Sequence, residues 1–240
     1  MNIDGSSLTP EQLQKERVEY VKNIGIEYRF GCYKEKKPES CYLLGEYMEA
    51  VERNYKESLK LFKENCEERQ DGKSCFKYAS YLRAGRECEP SLEKMIEPLE
   101  TACDQRIAPA CRLLGLIHWN KKDAQEQDLA TAVKYVKKAC DLGDGQACGN
   151  LCGWYLGPDA VFQKPGKNAS QGNTRTLEKN LVKSLKYGIK GCDAYYYPAC
   201  VNVARMYMIG EGVAKDPDKA KEYKEKAKQI YDISQSLKRK

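Results

Sequence analysis

Cysteine offers the most chemistry in this 240-residue chain: 12 of them stand at positions 32, 41, 66, 75, 88, 103, 111, 140, 148, 152, 192 and 200. Ten form close pairs, Cys32/Cys41, Cys66/Cys75, Cys103/Cys111, Cys140/Cys148 and Cys192/Cys200, with seven or eight residues between partners. Such pairs either close as disulfides or persist as reduced, buried thiols. Cys88 and Cys152 fall outside the pairs and are expected to be free. Arg83 and Arg86 flank Cys88 and would favour a thiolate, while Glu87 and Glu89 oppose it. Cys152 occupies a position where the other repeats use a small residue, so a buried spectator thiol explains it.

The remaining candidates for chemistry are sparse. His118 is the only histidine, and C-x-x-C, C-x-x-C-H and H-E-x-x-H are all missing, so no metal site is expected. His118 with Met95 or Met206 could in principle ligate a haem. Otherwise no cofactor is expected. Ser74-Cys75-Phe76-Lys77 and Ser91-Leu92-Glu93-Lys94 match the acylating S-x-x-K pattern, but S-D-N and K-T-G do not occur beside them.

The elements that must position these residues follow from a repeat. The second cysteines, at 41, 75, 111, 148 and 200, advance by 34, 36, 37 and 52 residues, a period that marks stacked helical hairpins. CYLLGEYM, CFKYASYL, CRLLGLIH, CGNLCGWY and CVNVARMY align without gaps and begin the first helices. Three places on comes an apolar or aromatic residue (Leu44, Tyr78, Leu114, Leu151, Val203), and four places on a small one (Gly45, Ala79, Gly115, Cys152, Ala204). Those two spacings share a helical face, so a neighbouring helix can approach closely there. Second helices end at the first cysteines, with Leu59, Ile96, Val133 and Leu185 seven places upstream.

Turn residues fill the space inside each pair, as in DLGDGQA and ERQDGKS, and Pro38, Pro109 and Pro198 precede three second cysteines. Each pair therefore faces itself across a short turn, and five local disulfides are expected. The fold class is all-α, a right-handed superhelical solenoid over residues 11–232 with hairpins at about 40–66, 74–103, 110–140, 147–192 and 199–230. A capping helix from Glu11 to Gly31 should precede them, behind a disordered tail of residues 1–10. Residues 158–175 read as a loop insertion that carries the Asn168 sequon, and residues 233–240 as a basic tail. Pro98 should kink its helix near Glu97.

Composition narrows the partners. The 41 basic and 35 acidic residues are interleaved along the chain, which points away from nucleic acid and acidic lipid despite the net charge of +6. No apolar run is long enough for stable membrane insertion, and the opening residues lack the pattern of a secretory signal. A mean hydropathy of −0.73 leaves little surplus apolar surface, so the staples matter.

LLGLIH and ARMYMIGEG resemble the Sel-one-like branch of tetratricopeptide-type repeats. CYKEKKPESCY, NCEERQDGKSCFK and the insertion in the fourth repeat are similar to the animal cytochrome c oxidase assembly factor 7 family. That resemblance implies a non-enzymatic, monomeric factor of the mitochondrial intermembrane space that binds protein partners during assembly of respiratory complex IV. It also implies import through the disulfide relay, although the cysteine spacing departs from the twin C-x9-C pattern of many relay clients. A concave groove would hold the partner, with Glu46, Tyr81, Arg112, Trp119, Asn150 and Arg205 as candidates because their register lies off the packed face. Two readings stay open beside it: a thiol-redox or haem-handling protein of the same compartment, including a thiol–disulfide reductase, and a secreted cysteine-rich repeat protein glycosylated at Asn168.

Overall fold

A computed structural model describes residues 9–120, 126–157 and 177–238, and among these every regular element is helical. The chain divides into two compact units, Met1–Gln105 and Arg106–Lys240.

The first unit begins with α1 (Pro10–Tyr33), opened by a capping box in which Thr9 and Gln12 satisfy each other's backbone N–H. It continues with α2 (Pro38–Tyr47), a π-helical turn (Met48–Glu52), α3 (Tyr55–Arg69), α4 (Gly72–Ala84) and α5 (Ile96–Asp104). Consecutive helices pack on one another. A Cβ at Gly45 of α2 would lie 2.5 Å from the ring of Phe62, which is fully buried on α3. The small residue four places after the cysteine is thus a requirement of close helix approach. Asn65 is also fully buried, and its amide donates to the Pro38 carbonyl (2.9 Å) and to Ser74 Oγ (2.7 Å), tying the first turns of α2 and α4 to α3.

The second unit holds α6 (Ala108–Trp119), α7 (Glu126–Asp141), α8 (Gly145–Leu156), α9 (Leu181–Asp193), α10 (Tyr197–Ile209) and α11 (Pro217–Lys238). Gly115 of α6 repeats the logic of Gly45: a Cβ there would meet Val136 of α7 at 2.5 Å. Cys152 and Ala204 take the same register in α8 and α10 and are buried. Helix starts are well capped, by Asn54, Asp71, Asp144, Asn180 and Asp216 side chains accepting from the backbone three residues on.

Four cysteine pairs are bridged with Cα separations of 4.5–4.7 Å: Cys32–Cys41, Cys66–Cys75, Cys140–Cys148 and Cys192–Cys200. Cys103 and Cys111 are each disulfide-bonded as well. Inside each pair one residue turns the chain with positive φ: Lys36 (57°), Gln70 (53°), Arg106 (64°), Gly143 (93°) and Tyr195 (59°). Only one is glycine. A left-handed non-glycine residue costs roughly 1 kcal/mol, and the staple and the flanking helices must absorb it.

One expectation about the helices needs correction. Helix α5 starts only at Ile96, so Pro98 lies in its first turn, where a missing N–H costs nothing, and the kink near Glu97 does not arise. Helix α11 runs through to Lys238, so residues 233–238 of the expected basic tail continue the helix. The insertion at 158–175, its sequon at Asn168 and the first eight residues lie outside the described residues.

Candidate functional site

With the cysteine pairs consumed by structure, the two remaining thiols are the first candidates for reactivity. Cys88 sits half-buried in the loop after α4, and burial followed by Glu89 and Glu87 pushes its pKa up, against Lys94. The expected help from Arg86 is absent because its guanidinium pairs with Glu49 (3.2 Å) and lies 4.7 Å over the Tyr55 ring. Cys152 is fully buried, 3.5 Å from Ser184 Oγ, and burial raises its pKa more than hydrogen bonds from Ser184 and Asn202 lower it. Neither thiol has the stabilised thiolate that exchange chemistry uses.

His118 stacks on Tyr135 at 5.8 Å with Nδ1 3.6 Å from an Asp128 oxygen. Met95 and Met206 are each fully buried, Met206 beside Leu156 with its sulfur 3.9 Å from Ser184 Oγ. These three side chains are taken up by local packing and do not fit the ligation of a haem. Among the described residues no cluster of three or more His, Cys, Asp or Glu could hold a metal ion. The S-x-x-K pairs are structural: Ser74 is buried against Asn65, and Ser91 caps the turn at Lys94.

The proposed groove residues are set in charge networks and aromatic contacts. In the first unit, Lys77 of α4 reaches between Glu46 and Glu49 of the preceding hairpin, bonding Glu46 closely and Glu49 at 3.0 Å. Arg86 contacts Glu49 from the other side. Glu49, Phe76, Lys77, Ser80, Tyr81, Ala84 and Arg86 line a cavity of about 250 Å³. Tyr81 was expected off the packed face but is 3% exposed, its ring 6.0 Å from Phe62. Burial, then the Glu49 carboxylate, pushes its hydroxyl up to about 12. The register placed Glu46 here; Glu49, Lys77 and Arg86 gave no periodic signal, because their pairing joins different repeats.

In the second unit, Trp119 at the end of α6 stacks on Trp154 of α8, with centroids 3.8 Å apart. Arg112 Nε lies 2.8 Å from Asp144, the residue that also caps α8. Asn150 is half-buried with its amide nitrogen unpartnered among the described residues. Arg205 of α10 pairs with Glu211 at 3.0 Å. These residues are thus held by aromatic packing and by charge pairs that join neighbouring helices.

The Sel1 repeat model matches residues 38–67, 108–144 and 198–229. Cytochrome c oxidase assembly factor 7 of Homo sapiens is 32% identical over 219 residues, covering 88% of each chain. This chain belongs to the cytochrome c oxidase assembly factor 7 family. The Xenopus tropicalis member is 30% identical over 227 residues, with 92% of both chains covered, and the Drosophila melanogaster homolog 30% over 237 residues, with 89% and 88% covered. Among solved structures, a Sel1 repeat protein from Oxalobacter formigenes superposes with a TM-score of 0.70 at 16% identity, over 90% of this chain and 83% of that one. A protective antigen of uropathogenic Escherichia coli with an SLR fold gives 0.66 at 16% identity, over 90% and 46%. These likenesses establish the fold, an all-α solenoid of the Sel1 class, and the family relationship rests on the sequence.

Proposed function

We propose that the chain is a non-enzymatic assembly factor of the mitochondrial intermembrane space that holds protein partners while cytochrome c oxidase is built. One observation carries the reading: relatives named cytochrome c oxidase assembly factor 7 match nearly the whole length of the chain, at about 30% identity. The chemistry of the molecule supports it. Closed disulfides call for an oxidising compartment, and the intermembrane space, entered through its disulfide relay, is one that would supply it. Both free thiols are hard to ionise, which favours a scaffold over a redox enzyme. Glu46, Tyr81, Arg112, Trp119, Asn150 and Arg205 would contribute to partner-facing surfaces, and the chain would work as a monomer.

Disruption of the gene should lower the amount of assembled oxidase on native gels, with wild-type chain restoring it. Fractionation of mitochondria should recover the chain in the soluble content between the two membranes. Normal oxidase in the disrupted cells would overturn the assembly role, and recovery in another compartment would overturn the address.

A further inference from the structure

The last hairpin carries a groove that none of the described elements covers. Helix α10 lies against both α8 and α9, so that pair is closed by the helix that follows it. The equivalent surface of α10 and α11 has no following helix among the described residues, and there a cavity of about 480 Å³ opens. Its walls are apolar. Tyr197 meets Tyr231 edge-on at 5.3 Å, Val201, Ala204, Ala220 and Ala227 form the floor, and Met208 and Ile209 stand 47% and 54% exposed at the mouth.

Its charge is one-sided. The charged side chains lining the groove are Arg205, Lys224 and Lys228, all basic. Arg205 is matched by Glu211 at 3.0 Å. Lys224 and Lys228, one turn apart on α11, make no ion pair among the described residues. A concave apolar trough of this kind takes a ridge, as the α8–α9 pair takes α10, and the lysines add a demand for carboxylates on one flank.

We infer that the α10–α11 groove seats a helix of a partner protein whose apolar stripe, at i, i+3, i+4 and i+7, is flanked by acidic residues that meet Lys224 and Lys228. Helix α10 has 13 residues, about 20 Å of axis, so the seated segment is some three to four turns long. A flat bilayer cannot fill the trough as a helical ridge does, which is why a helix is the occupant chosen. The inference deepens the scaffold reading and rests on it only in that the chain binds protein.

The test uses the full oxidised chain and a fluorescent helical peptide of about 14 residues, with Leu along the stripe and Glu on its flanks, beside a twin with Lys in place of Glu. Anisotropy should show the acidic peptide binding and its basic twin not. Met208→Asp should weaken binding at least about tenfold, and because Met208 is half exposed the variant keeps its fold by circular dichroism. The double change Lys224→Glu with Lys228→Glu should weaken the acidic peptide similarly and confer binding of the basic twin. Failure of the acidic peptide to bind, equal binding of both peptides, or binding untouched by Met208→Asp overturns the inference. Dimerisation in sedimentation that Met208→Asp abolishes assigns the groove to a second copy, and flotation with phosphatidylserine vesicles that the peptide cannot displace assigns it to a bilayer; either overturns it. If the peptide fails while loss of the chain still lowers oxidase, this groove assignment falls and the scaffold reading stands. If the peptide binds as expected while oxidase stays normal without the chain, the groove assignment stands and the assembly role falls.

Discussion

The indole of Trp154 lies flat against that of Trp119, centroids 3.8 Å apart and planes 7° from parallel, joining α8 to the end of α6 in the preceding hairpin. Trp154 is buried and Trp119 half-buried, and the pair fastens consecutive first helices. Trp119→Ala should destabilise the chain by about 2 kcal/mol, below the full cost of a buried tryptophan because Trp119 is only half covered. Urea denaturation checks the magnitude. Loss of a coupled tryptophan band in circular dichroism checks that the stack is its source, since a variant that loses stability but keeps the band would place the effect elsewhere.

Gly143 and Tyr195 hold equivalent turn positions with positive φ, one with glycine and one without. A Cβ added at Gly143 would meet nothing within 4 Å, so Gly143→Ala isolates the backbone cost and should destabilise by about 1 kcal/mol. Tyr195 is 76% exposed, so Tyr195→Gly removes strain with little packing to lose and should stabilise by about 0.5 kcal/mol. Melting temperatures of the two variants should move in opposite directions; a shift of the same sign would show that side-chain contacts dominate these turns.

The bridge Cys192–Cys200 closes a loop with a sequence separation of 8. Replacing both by serine should cost about 2.5 kcal/mol on the chain-entropy account, with the buried hydroxyls adding to it. Differential melting under non-reducing conditions measures the loss, and wild-type chain treated with dithiothreitol should lose considerably more, because its other bridges open as well.

Alkylation should separate the two thiols. Cys88 is accessible, but burial and the neighbouring glutamates hold its pKa above the ordinary 9.0, so its thiolate fraction, and with it the rate with iodoacetamide, should still be climbing as pH passes 9. Cys152 should react only after unfolding, since it is fully buried beside Ser184. Mass spectrometry of native chain should show a single label, and a second label without denaturant would mean that α8 and α9 open.

The architecture was legible because its signals are local. A cysteine at each helix boundary, a proline in the first turn and a small residue at Gly45 or Gly115 each follow from the geometry of one hairpin, so a single sequence exposes them. Pro98 misled because a proline reads the same in a helix interior and in a first turn; the start of α5 is set by the turns at 91–95 ahead of it. Tyr81 misled because its burial depends on Phe62 and Arg86, brought to it by α3 and by the loop after α4. The networks around Glu49 and Asp144 were hidden for the same reason: Lys77, Arg86 and Arg112 find their acids in a neighbouring repeat, and which side chains meet there is set by packing. The α10–α11 groove was hidden in another way, since its residues look like ordinary repeat core until the next helix fails to cover them.

Four of the five hinge positions force an ordinary side chain into a handedness it resists, at Lys36, Gln70, Arg106 and Tyr195. Before sulfur is oxidised, nothing covalent offsets the roughly 1 kcal/mol that each of these turns costs, and packing and hydrogen bonds alone must hold them. Electron removal at the cysteines therefore acts as a latch on shape, and a freshly made chain gains its final stiffness only where an oxidant waits for it.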